Sequence, residues 1–93
     1  MTEGGPPYSV DLAGEARRSL HRLPAKVAIA VLEFITGPLA PDAARLSKPL
    51  SHEIGGYRTA RRGDYRVLFR IDEDAHVVLV VRIGHRADVY RPH

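Results

Sequence analysis

The chain has 93 residues, no cysteine and a formal charge of +3. That length allows one small core rather than two. The missing cysteines exclude disulfides and thiolate-bound zinc, and no apolar run approaches the roughly 20 residues of a bilayer-crossing helix. Residues 1–56 hold six Lys/Arg and six Asp/Glu, whereas residues 57–93 hold eight Arg and five Asp/Glu, so the net charge sits in the second part. Every cation there is arginine, whose planar fork matches phosphate oxygens and stacks on bases. The expectation is a nucleic-acid partner, set against a solvated basic face or an acidic protein partner.

Residues 1–7 lack a basic region followed by an apolar stretch, so they read as a short flexible arm rather than a secretory signal. Residues 8–93 then form one domain, expected in the cytoplasm. Tyr8-Ser9-Val10 is a short β-prone run. Asp11 is expected to cap the following helix with its carboxylate, and Leu12, Ala16, Leu20 and Leu23 give that helix one apolar stripe. Pro24 stops it and is suited to start the next. The second helix is expected over 25–36, with Val27, Ala28, Val31, Leu32, Phe34 and Ile35, and is closed by Gly37-Pro38. Helices joined at one proline should form a hairpin covering one face of a sheet. Residues 39–56, with Pro41, Pro49 and Gly55-Gly56, read as a long loop holding at most one helical turn at 42–46.

From Tyr57 to Ile71 the pattern is two strands joined by a tight turn at Arg62-Gly63-Asp64. Tyr65, Val67, Phe69 and Ile71 alternate with Arg66, Leu68 and Arg70, so one face can pack while the other shows cations. After the acidic turn Asp72-Glu73-Asp74, a third run spans 76–83 and exits through Gly84-His85-Arg86. The expected fold is α+β in the order β-α-α-β-β-β. An antiparallel sheet would carry the helical hairpin on one face and leave a basic, concave face open.

Several chemistries have no basis in this sequence. There is no Gly-rich phosphate loop and no nucleophile elbow. The five histidines show no helical ligand spacing, so neither a metal nor a cofactor is expected. His21 reads as a helix surface residue and His76 as a solvated strand start. The informative set is Arg58, Arg61, Arg62, Arg66, His85, Arg86 and Tyr90. Cations for phosphates and a ring on which a base can stack suit single-stranded RNA, although Tyr90 could equally pack against the helices. Lys48, Arg61, Arg62 and Arg70 are the expected RNA-binding cations.

Gly63-Asp64-Tyr65-Arg66-Val67-Leu68-Phe69-Arg70-Ile71-Asp72, followed by Ile83-Gly84-His85-Arg86-Ala87-Asp88-Val89-Tyr90, resembles the RelE/ParE toxin superfamily, and within it the RelE-like toxins of actinobacterial type II toxin–antitoxin modules. The likeness runs over nearly everything from Tyr8 onward. It implies a ribosome-dependent endoribonuclease that cuts messenger RNA and is held inactive by an antitoxin. By position, it implies that Arg66 contacts the scissile phosphate, that Arg86 stabilises or protonates the leaving group, that Tyr90 orients the substrate, and that Arg58 is the first of two basic residues before the turn. The second of these is a lysine in the family and falls at Ala60.

Such cleavage is metal-independent. A ribose 2′-oxygen attacks the adjacent phosphorus and leaves a cyclic phosphate. Arg58, Arg66 and Arg86 suit charge stabilisation, but arginine, with a pKa above about 12, carries protons poorly. His85 is therefore the expected general acid, against the strand alternation that turns it away if Arg86 faces in. Glu53 is the nearest loop carboxylate for a base, unless the ribosome or the RNA supplies one. Two other readings stand beside this one: a ParE-like inhibitor of DNA gyrase that cuts nothing, and a degenerate toxin retaining only antitoxin binding. All three imply an acidic, RelB-like antitoxin in a hetero-oligomer. The first adds the ribosome and messenger RNA, and none involves a membrane.

Overall fold

A computed structural model describes residues 8–49 and 56–85. In chain order these form β1 (Ser9–Leu12), α1 (Gly14–Arg22), α2 (Ala25–Phe34), a π-helical turn (Ile35–Leu39), β2 (Lys48–Pro49), β3 (Arg58–Arg62), β4 (Tyr65–Asp72) and β5 (Val77–His85). One sheet results, in the order β1-β5-β4-β3-β2. The α+β arrangement with its helical hairpin is as the sequence implies, but the sheet is mixed rather than antiparallel throughout. β1 pairs parallel to β5, and the short β2 adds an antiparallel edge beside β3. Parallel neighbours need a long crossover, and the chain between β1 and β5 supplies one.

Two helix boundaries differ from the sequence reading. Asp11 does not cap α1: it lies within β1, opposite Leu79, and the N-cap is Ala13, whose backbone N–H donates to Val80 O at 2.8 Å. Parallel pairing with β5 extends the strand past the residue that capping chemistry alone would select. At the other end, Gly37-Pro38 does not close the second helix. The chain continues through it as the π-helical turn. A proline ring collides with the carbonyl four residues back, and the wider π turn accommodates it. Ile35 and Leu39, both fully buried, anchor that turn. After it, Leu46 N–H donates to Asp42 O at 2.9 Å, a single turn as expected.

The core is the sheet face beneath the helices: Ala16, Val31, Ile35, Leu39, Ala43, Ala60, Val67, Phe69, Val78, Val80 and Ile83. Its continuity depends on a β-bulge. Phe69 pairs with Val80 and Leu68 with Arg82, so Val81 is the extra residue in β5. A bulge reverses the alternation beyond it. Val78 and Val80 point inward before it and Ile83 after it, while Arg82 joins Leu68 on the other face. His76 is neither a strand residue nor fully solvated. It ends the β4–β5 turn with φ 59°, half-buried, and its ring stacks on Tyr8 at 4.1 Å.

Candidate functional site

Residues paired across strands share a face, so the register sorts the cations. The β3–β4 hairpin has a two-residue loop, Gly63-Asp64, with Gly63 at φ 62°. A glycine at the first loop position matches the twist that tight hairpins need. Counting from this loop, Arg62 meets Tyr65, Arg61 meets Arg66, Ala60 meets Val67, Thr59 meets Leu68 and Arg58 meets Phe69. Val67 and Phe69 are core residues, so positions 58, 60 and 62 turn toward the helices. Positions 59 and 61 turn with Arg66 to the open face.

There, Leu46, Lys48, Thr59, Arg61 and Arg66 line a depression of about 320 Å³. Lys48 enters because β2 pairs it with Thr59. Arg66 lies between Arg61 on β3 and Gly84 on β5, and the glycine brings no side chain to that face. Arg66 Nη1 is buried and has no hydrogen-bond partner among the described residues. A buried cationic N–H without an acceptor is costly, and like charges directly across a strand pair oppose folding. The ion pairs among the described residues lie elsewhere: Glu15 with Arg18 at 3.2 Å and Arg22 at 3.4 Å, and Asp42 with Arg45 at 3.1 Å. Chemically, such a depression suits an anion with several acceptor oxygens, such as a phosphate diester.

The remaining expected cations are distributed differently. Arg58 points to the helix side and is engaged there: Nε donates to Ser47 Oγ at 2.7 Å, and Nη2 to Ala44 O at 3.1 Å and Ser47 O at 3.2 Å. Arg62 faces a shallow groove with Lys26, Val27 and Tyr65, also on the helix side. Arg70 shares the open face but sits toward its acidic end, in a depression with Asp11, Asp72 and Glu73, its guanidinium 5.5 Å from the Tyr57 ring centroid. His85 pairs with Tyr65 while Arg66 pairs with Gly84, so the imidazole projects on the face away from Arg66. Its ring meets Tyr65 edge-on at 5.8 Å. Arg86, Tyr90 and Glu53 lie outside the described residues.

Ala60 is 2% exposed and part of the core. A lysine there would point into the core beside Val67 rather than toward phosphate, so the residue type at 60 says nothing about the open face. The position that does face the depression is Thr59. Reading back from the Gly63-Asp64 loop in steps of two selects Thr59 and Arg61 from the sequence; matching charged residues by type selects Arg58 instead. Among the described residues, no three His, Asp or Glu side chains cluster as metal ligands. No helix there is long and apolar enough to cross a membrane.

Comparison with known proteins places this geometry in a family. The sequence model of the ParE toxin of the type II toxin–antitoxin system parDE matches residues 10–90. Toxin RelG of Mycobacterium tuberculosis is 47% identical over 91% of this chain and 98% of its own length. Toxin RelE of the same organism is 46% identical over 91% of this chain and 88% of its own. The crystal structure of the M. tuberculosis RelBE2 toxin–antitoxin complex contains a chain that superposes with a TM-score of 0.82 at 46% identity, covering 88% of this chain and 94% of that one. Isolated Escherichia coli RelE shares the fold, with a TM-score of 0.69 at 16% identity over 92% of this chain and 88% of that one. The chain belongs to the RelE/ParE family of type II toxin–antitoxin toxins.

Proposed function

We propose that the protein is a ribosome-dependent messenger-RNA endoribonuclease whose scissile phosphate docks in the depression of Lys48, Arg61 and Arg66. The observation that carries this reading is Arg66, which lines a cationic depression and has a buried Nη1 with no partner among the described residues. Attack of a 2′-oxygen on the adjacent phosphorus concentrates negative charge on the non-bridging oxygens. Preorganised guanidinium donors stabilise that charge without reorganising. The pocket is shallow and its described lining holds no carboxylate or imidazole, which favours a substrate positioned by the ribosome, where alignment supplies much of the rate. Metal-independent chemistry, action in the cytoplasm and contributions from Arg86 and Tyr90 belong to the same proposal.

The antitoxin would be an acidic segment that folds on binding. A second surface suits it: Leu12, Leu20, Ala28, Ile29 and Leu32 line an apolar groove of about 300 Å³ edged by Arg17 and His21. Ile29 is 58% and Leu32 40% exposed. An amphipathic helix with an acidic flank would complement both features.

Primer extension on messenger RNA from a translating extract tests the activity. Cuts made by the wild-type protein and lost with Arg66→Ala are expected. Intact messages with growth arrested by the wild type would instead favour a gyrase-type target. Intact messages without arrest would leave antitoxin binding as the remaining role.

A further inference from the structure

We propose that Lys48 is the general acid of the phosphate pocket and that Arg58, on the other side of the sheet, is the residue that positions it. This assignment rests on the ribonuclease reading above. Of the described residues lining the depression, Leu46 has no exchangeable side-chain proton, Thr59 is an alcohol like the leaving group itself, and Arg61 and Arg66 are guanidinium groups, poor proton donors as a class. Lys48 is the remaining member and the one primary ammonium among them. An ammonium is as a class a far stronger acid than an alcohol, so transfer to a departing alkoxide is downhill.

The balance is complete with water as co-reactant. The 2′-oxygen forms a bond to phosphorus as its proton passes to water. The bond from phosphorus to the 5′-oxygen breaks, that oxygen takes a proton from the Lys48 ammonium, and the resulting amine is reprotonated from water. The products are a 2′,3′-cyclic phosphate and a 5′-hydroxyl.

Lys48 needs to be held, because β2 among the described residues spans two positions at the edge of the sheet. So short a strand has little registry of its own. Arg58 supplies it from below: three hydrogen bonds tie the guanidinium to Ala44 and Ser47, and Ser47 immediately precedes Lys48. Ser47 Oγ in turn donates to Ala43 O at 2.7 Å, which joins the clamp to the core. Arg58 thus acts on the opposite face through the segment it grips, and it is a positioning residue rather than a catalytic one.

The test uses ribosomes programmed with a short messenger RNA whose cleavable linkage carries either the normal 5′-oxygen or a bridging 5′-sulfur. A thiolate leaves without a proton, so the sulfur linkage has no need of a general acid. Lys48→Arg keeps the positive charge and is expected to cut the oxygen linkage about 100-fold more slowly than wild type while cutting the sulfur linkage at nearly the wild-type rate. Equal slowing on both linkages, or no slowing on either, overturns the general-acid role. Arg58→Ala is expected to slow the oxygen linkage in the wild-type background and to add little in the Lys48→Arg background; full additivity overturns the positioning role. Wild-type protein that cuts neither linkage removes the ribonuclease reading, and this assignment with it.

Discussion

Arg58 and Arg66 sit on neighbouring strands, close in space and identical in chemistry, yet the sheet gives them opposite tasks. Arg58 faces the helix side, where backbone and hydroxyl oxygens of the 44–47 segment satisfy it. Arg66 faces the open side, where one guanidinium nitrogen is buried with no partner among the described residues. A satisfied cation holds the fold together, whereas an unsatisfied one costs stability, and the function proposed above gives that cost a purpose in binding phosphate. The difference arises from strand register alone, since adjacent β positions point to opposite faces.

That contrast can be broken most forcefully at β3. Ala60→Lys places an unpaired charge in the core, and an expected loss of more than about 3 kcal/mol would appear as a chain unfolded, or nearly so, in a urea titration. Thr59→Lys, one residue away, adds a cation to the open face. It should fold with only a small loss of stability, since the new cation faces the open side although Lys48 lies opposite. It should also bind single-stranded RNA more tightly, with a steeper salt dependence. Equal stability of the two variants would show that the register of β3 is misassigned.

Arg58→Ala removes three hydrogen bonds from a charged donor and should cost about 2 kcal/mol, read from the same titration. Arg58→Lys should recover only part of this, because an ammonium cannot reproduce the fork. Smallest are the effects of surface charge. The guanidinium groups of Arg18 and Arg22 hold the Glu15 carboxyl below its ordinary value of 4.5. A carboxyl whose pKa is depressed on folding stabilises the protein above the unfolded value and loses that contribution as pH falls through the folded one. Glu15 is solvated, so Glu15→Gln should slightly flatten the acid limb of a melting-temperature profile and change nothing near neutrality. A steep change at neutral pH would contradict this. At the alkaline end, Tyr8 donates to Glu73 Oε1 at 2.8 Å, and this holds its phenol above 10.0. Its contribution persists below that pH and fades as the phenol ionises.

Much of this is legible in the sequence. Alternation in 65–71 places Val67 and Phe69 in the core, and Pro24 marks the helix joint. Arg66 can be singled out because it lies one step from the hairpin loop in a recognisable family pattern. Features set by tertiary pairing are harder to read. The parallel β1–β5 pairing that draws Asp11 into a strand has no local signal, nor does the bulge at Val81 that keeps Ile83 inside. Arg58 stands out by charge rather than by register, and its partners Ala44 and Ser47 come from a segment that reads as loop. Lys48 is legible as a cation, but its place beside Arg66 depends on a two-residue strand that composition does not reveal.

The most direct test of the account measures both properties on both arginines, pairing ribosome-dependent cleavage with urea-derived stability for Arg58→Ala and Arg66→Ala. Arg66→Ala is expected to lower cleavage by about 10²–10³-fold with stability unchanged or slightly raised. Arg58→Ala is expected to lose stability and to retain more activity than Arg66→Ala. An Arg66→Ala protein that cuts normally but unfolds easily would contradict the account, making Arg66 the structural residue and emptying the pocket of its role.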